Sequence, residues 1–145
     1  MKITFEDKIN SKDHILLVYH DSVNEQNISF LDNESKIVIK NATSSYNKSD
    51  EKIETFNYSQ KNKIKSISLA KFTNPKNPID FWKLEAFGGK LLNHLEKINV
   101  NSVALIIGDN DRKNSSEIFS IVNGIDLKSY SFDKYKTTLS GIYVC

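Results

Sequence analysis

The chain has 145 residues, a length that suits one domain. Hydrophobic residues make up 39% and charged residues 26%, so a core is within reach and the composition argues against disorder. The formal net charge is only +2 and Arg112 is the sole arginine, which argues against a strongly basic nucleic-acid binder. The single cysteine, Cys145, excludes an intrachain disulfide and has no base placed around it, so it is assigned no role. The first residues, Met1 to Asp7, lack an apolar signal core, and no apolar run approaches the roughly 20 residues that span a bilayer.

Ile3 and Phe5 alternate with polar residues and predict a first, edge-like strand. His14 to Tyr19 is a continuous apolar run, as expected of a strand buried on both faces. Residues 35–46 carry two signals. Ile37-Val38-Ile39 is β-branched, but Val38, Ala42 and Tyr46 recur at helical spacing, with Asp32 or Asn33 as the N-cap; a helix is expected. Ile53 to Tyr58 and Lys63 to Leu69 predict two strands joined by a turn at Ser59-Gln60-Lys61-Asn62.

Asn77 and Pro78 then suit the cap and first position of a helix. Its stripe is Leu84, Phe87, Leu91, Leu95 and Ile98. Ser102 to Ile107 predicts a second fully buried strand. Asn114-Ser115-Ser116-Glu117 resembles a capping box before a last helix whose inward residues are Ile118, Ile121, Val122 and Ile125. Leu139 to Cys145 reads as the start of another strand. Strands alternating with helices imply a three-layer α/β/α domain around a mixed central sheet.

Few residues offer chemistry. His14 and His20 flank a strand and His94 lies on a helix, with no Cys, Asp or Glu at ligand spacing, so they read as surface or strand-end polar residues and no metal site is expected. Asp109-Asn110-Asp111 starts like a calcium loop but lacks its later glycine and glutamate, and reads as a turn. Lys61, Lys63 and Lys65, with Tyr58 nearby, read as a solvated basic face. Gly88-Gly89-Lys90 sits inside a helical stripe, not between a strand and a helix start, so it is no phosphate cradle. Each glycine there costs about 1 kcal/mol relative to alanine. The cost points to close approach of another backbone, and Gly88 and Gly89 are expected to form a packing notch against the sheet or a neighbouring subunit.

Two blocks carry a family resemblance. One is Phe87-Gly88-Gly89-Lys90-Leu91-Leu92 with the strand at Val103 to Ile107; the other is Ile125 to Thr137, including Tyr130-Ser131-Phe132-Asp133-Lys134-Tyr135. In order and spacing they resemble the amino-terminal domain of the leucyl (cytosol) aminopeptidases. The resemblance implies a macro-domain-like fold over residues 1–138, with 139–145 starting a linker or strand toward a catalytic domain that this chain lacks. It implies a cytoplasmic, hexameric metallopeptidase whose other domain uses two divalent metals, zinc or manganese. No catalytic or metal residue carries over to this sequence, because the family's Asn-Thr-Asp-x-Glu-Gly-Arg motif does not occur in it. Partners implied are the protein's own catalytic domain and further copies of itself.

Tyr130, Phe132 and Tyr135 would fasten the domain's exit against its core or the catalytic domain. Where the family commonly has Val-Gly-Leu-Gly, this chain has Ile67-Ser68-Leu69-Ala70. Macro domains elsewhere bind ADP-ribose through glycine-rich loops, and no such loop is present among the five glycines. Two alternatives stand beside this reading: a free-standing macro-like module that binds a nucleotide or nucleic acid, and a free-standing assembly protein.

Overall fold

The computed structural model describes residues 2–5, 14–19, 23, 28–46, 51–60, 62–72, 81–107, 115–132 and 141–144. In chain order these form β1 (Lys2–Phe5), β2 (His14–Tyr19), α1 (Asn33–Ser44), β3 (Lys52–Gln60), β4 (Lys63–Lys71), α2 (Phe81–Ile98), β5 (Ser102–Ile107), α3 (Ser115–Phe132) and β6 (Gly141–Val144). The strands make one sheet in the order β1-β6-β5-β2-β4-β3. Every neighbouring pair is parallel except β3 and β4, which form an antiparallel hairpin. The sheet is therefore mixed.

Helices cover both faces, because the inner strands are apolar on both. Leu16 and Val18 of β2 point to one side and pack with α2 and α3, through Leu84, Phe87, Leu91, Leu95, Ile121 and Ile125. Ile15, Leu17 and Tyr19 point to the other and pack with Ile39 of α1 and with Tyr58, Ile67 and Leu69. All six side chains of β2 are buried, as its unbroken apolar run required. Fully burying each of the four aliphatic ones, Ile15 to Val18, stabilises by about 1.5–3 kcal/mol.

The cap decided the ambiguous segment at 35–46. The Asp32 carboxylate accepts from the Ser35 backbone N–H at 3.4 Å. The Ser35 side chain first, and this backbone contact as well, hold its carboxyl below the usual range. A helix with one buried face, at Ile39, wins over the β-branched triplet. Asp32→Ala is expected to lower the melting temperature, with Asp32→Ser close to the parent; equal melting of all three would remove the cap from the account. At the far end of α2, Asn99 takes the left-handed conformation at φ 59° that commonly closes a helix.

The last strand corrects one boundary. Residues 141–144 do form a strand, but β6 lies inside this sheet, paired on one edge with β1 and on the other with β5. It belongs to the sheet of this domain. The predicted caps of α2 at Asn77 and of α3 at Asn114 lie outside the described residues.

Candidate functional site

Gly88 lies where α2 crosses α3. A Cβ there would collide with the Ile121 carbonyl oxygen, and would stand 2.9 Å from the Ile125 nitrogen and 3.1 Å from the Gly124 Cα. Gly124 is the reciprocal point: a Cβ on it would collide with the backbone carbonyl of Glu85. The two glycines let two backbones touch, so the notch at Gly88 is filled by α3 of the same chain. Gly89 is different, since its nearest neighbours are Lys128 side-chain carbons at 3.8 Å, ordinary contact.

Outward from this crossing the helices present large apolar groups to solvent. Trp82 is 83% exposed, and Phe81, Phe119, Leu127 and Tyr130 are also exposed. Phe119, Leu127 and Tyr130 recur at helical spacing along one side of α3. Between the helices lies a 480 Å³ cavity whose lining includes Trp82, Ala86, Gly89, Leu127 and Lys128. Tyr130, expected to fasten the domain's exit, is 62% exposed. Phe132 closes α3, its side chain and Tyr135 lying outside the described residues. A tryptophan off the apolar stripe of α2 is a usable signal in the sequence for such an exposed group.

His14 opens β2, a strand-end position as expected, but it is buried rather than at the surface. Its Nδ1 lies 2.7 Å from Ser66 Oγ and its Nε2 lies 2.8 Å from Ser68 Oγ. Ser68 Oγ is also 3.1 Å from His94 Nε2 and 2.9 Å from Thr55 Oγ1, and Thr55 Oγ1 is 3.0 Å from the same His94 nitrogen. The cluster joins β2, β3, β4 and α2. Burial, and secondarily the neighbouring His94, push His14 down to about 4. Burial and then Lys97 push His94 down as well. Both imidazoles are thus neutral at pH 7. His20 lies outside the described residues.

A serine beside an imidazole is also the arrangement of nucleophilic catalysis. Ser68, however, has no exposed surface, so no substrate reaches its hydroxyl from solvent. The cluster instead ties α2 to the sheet. Ser68 stands at the first of the two positions where the family resemblance would place glycine, and its hydroxyl is what bridges the two histidines.

A second polar group lies on the opposite face of the sheet. Among the described residues the buried hydroxyl of Tyr19 has no hydrogen-bond partner, and the buried hydroxyl of Tyr46 faces the Glu54 carboxylate. Burial first and the Glu54 charge second push Tyr19 up to about 12. Burial, then Glu54, also push Tyr46 up, and the Lys52 ammonium lies 5.6 Å from the centre of its ring. Among the described residues no group of three or more His, Cys, Asp or Glu could hold a metal ion, so the donor set for a two-metal centre does not fit here. No described helix is long and apolar enough to cross a membrane.

A mixed sheet between helices, parallel but for one edge hairpin, defines the class: a three-layer α/β/α, macro-domain-like fold. The macrodomain of Thermus aquaticus DarG matches 99% of this chain and 95% of its own length, at TM-score 0.55 and 11% identity. On sequence the chain resembles the cytosol aminopeptidases. It is 37% identical over 59 residues to a probable cytosol aminopeptidase of Rickettsia rickettsii, and 36% identical over 59 residues to that of Rickettsia massiliae. Each stretch covers 39% of this chain and only 12% of the relative. In fold, tomato leucine aminopeptidase matches 99% of this chain with 32% of its own, at TM-score 0.64 and 15% identity. The Leishmania major leucyl aminopeptidase matches 99% with 29% of its own, at TM-score 0.60 and 9% identity. The resemblance is that of an amino-terminal domain. No protein-family model matches the chain.

Proposed function

We propose that this chain is the non-catalytic amino-terminal domain of a cytosolic leucyl aminopeptidase, serving assembly or regulation. One observation carries the reading: one chain is alike in sequence to cytosol aminopeptidases and alike in fold, over nearly its whole length, to about a third of a leucine aminopeptidase. In this reading, removal of amino-terminal residues by two-metal hydrolysis belongs to a separate catalytic domain, and no step of it runs through residues of this chain. The domain's role is to pack against that catalytic domain and to help build a homo-oligomer, a hexamer in the family it resembles. The exposed Trp82, Leu127 and Tyr130 support α2 and α3 as the packing face, since grouped, solvated large apolar side chains mark interaction surfaces.

An antibody raised against this chain tests the reading in the source cells. The expected result is a much larger polypeptide that co-fractionates with metal-dependent hydrolysis of leucine amides. A product of this chain's size, with no peptidase alongside, would overturn it. The purified chain with manganese or zinc is expected to leave leucine amides intact.

The likeness to the DarG macrodomain favours a second reading, a free-standing module that binds a nucleotide or nucleic acid. Amide shifts on adding ADP-ribose, or salt-dependent DNA binding, would support it over the first.

A further inference from the structure

β3 is the outer strand of the sheet, and among the described residues nothing pairs with its far edge. It runs in unbroken register with β4, from Lys52↔Lys71 to Gln60↔Lys63. It holds no proline and no bulge, two of the devices by which edge strands avoid recruiting another strand. Lysine, a further guard, occurs in it once, at Lys52. The opposite edge, β1, spans only four residues.

The connection at 61–62 is two residues long, so Gln60 and Lys63 form a hydrogen-bonded pair. Counting back by twos, Tyr58, Phe56 and Glu54 bond to β4. The backbone N–H and C=O groups of Ser59, Asn57, Thr55 and Ile53 then point to the open edge. A 380 Å³ groove runs beside this edge, lined by Val38 and Ile39 of α1 and by Phe56, Asn57, Tyr58 and Ser59. Four successive residues of β3 line it, together with Ile64 of β4, so it lies at the hairpin end of the strand. Val38 and Ile37 of α1 are more than half exposed.

We propose that a second copy of this chain adds at this edge, β3 antiparallel to β3 about a two-fold axis, so that the sheet continues through both chains. The two-fold register that pairs all nine residues is centred on Phe56, with Lys52 opposite Gln60, Glu54 opposite Tyr58 and Thr55 opposite Asn57. It sets outward-pointing residues against outward-pointing residues, as the hydrogen bonds require.

Charge favours a second copy as the occupant. Lys52 shares its sheet face with Phe56 and Tyr58, which pack with α1. The register brings Lys52 of the second copy to the Tyr58–Gln60 end, where Asp32 and Glu34 line the groove. The axis repeats that pairing, and no like charges stand opposite. The patch is self-complementary, as an isologous contact must be. Exposed Val38 of each α1 then lies over the seam. None of this rests on the aminopeptidase reading, and a dimer with no kinship to peptidases would leave it intact.

Sedimentation equilibrium of the 145-residue chain tests it, with circular dichroism to verify folding. A dimer of twice 16.6 kDa is expected. Lys52→Glu or Glu34→Lys should each weaken it about tenfold, because a two-fold contact loses two ion pairs at once. The double variant should restore it. Asn57→Pro, which blocks the open edge, should give a folded monomer; should it not fold, the charge swap decides. A monomer at the highest soluble concentration, or a dimer indifferent to both reversals, would overturn the proposal. So would a monomer whose Asn57 and Ser59 amides exchange slowly, since something other than a second copy would then cover the edge.

Discussion

Replacing Gly124 by alanine is expected to destabilise the chain by about 3 kcal/mol, the upper part of the overpacking range. Helix propensity alone predicts the opposite sign, a gain of about 1 kcal/mol, because Gly124 is in the interior of α3. Geometry decides between them. The added Cβ would meet the backbone of Glu85, which cannot rotate away as a side chain can. The helices would have to separate, and the contacts of Leu84 and Phe87 with Ile121 and Ile125 would loosen with them. Gly88→Ala should behave alike, since its obstacles are also backbone atoms. Gly89→Ala should be neutral or stabilising by up to about 1 kcal/mol, with only ordinary Lys128 contact ahead of it. Denaturant melts of the three variants check this. A Gly124→Ala protein that melts at or above the parent would show that the helices do not approach as closely as described.

The same three glycines show what was legible. A glycine pair inside an apolar stripe announced that a backbone comes close, because a helix bears its cost only for a reason. Which glycine made the contact, and with what, was not legible. That depends on the relative rotation of α2 and α3, which one-dimensional spacing does not contain.

Strand and helix placement was legible for a different reason. Buried parallel strands such as β2 and β5 must be apolar on both faces, and caps such as Asp32 leave a local mark. The family resemblance, which rested on two blocks, agreed with the fold. The histidine cluster was hidden because its bonded members are separated by 13 to 54 positions in the chain and meet only through sheet register and the packing of α2. Pairing of β2 with β4 sets His14 beside Ser66 and Ser68, and α2 then lowers His94 onto them. Chain order gives no hint that a histidine at the start of a strand will be buried. A usable signal was Ser68 itself, where the family this chain resembles has glycine, since a hydroxyl on a strand buried on both sides must find a partner.

That cluster should make stability depend on pH. His14 titrates near 6.5 when unfolded and near 4 when folded. The unfolded state therefore takes up the proton first. The stabilisation is complete above pH 6.5 and is lost progressively as pH falls toward 4. Between pH 6.5 and 5 the loss from His14 comes to about 2 kcal/mol, and His94, also lowered, adds in the same direction. The window above pH 5 is the useful one, because most carboxylates are still ionised there. The groups that oppose a charge on the imidazoles are each other and Lys97, with only hydroxyls from β3 and β4 facing them. His14→Gln should be less stable at pH 7, since glutamine cannot span Ser66 and Ser68 as the ring does. It should also flatten the slope between pH 6.5 and 5. Lys97→Ala should leave the fold intact and shift the midpoint of the acid limb downward, by easing protonation of His94. An unchanged slope in His14→Gln would mean that the acid sensitivity lies elsewhere, and that the two imidazoles accept protons without loosening α2 from the sheet.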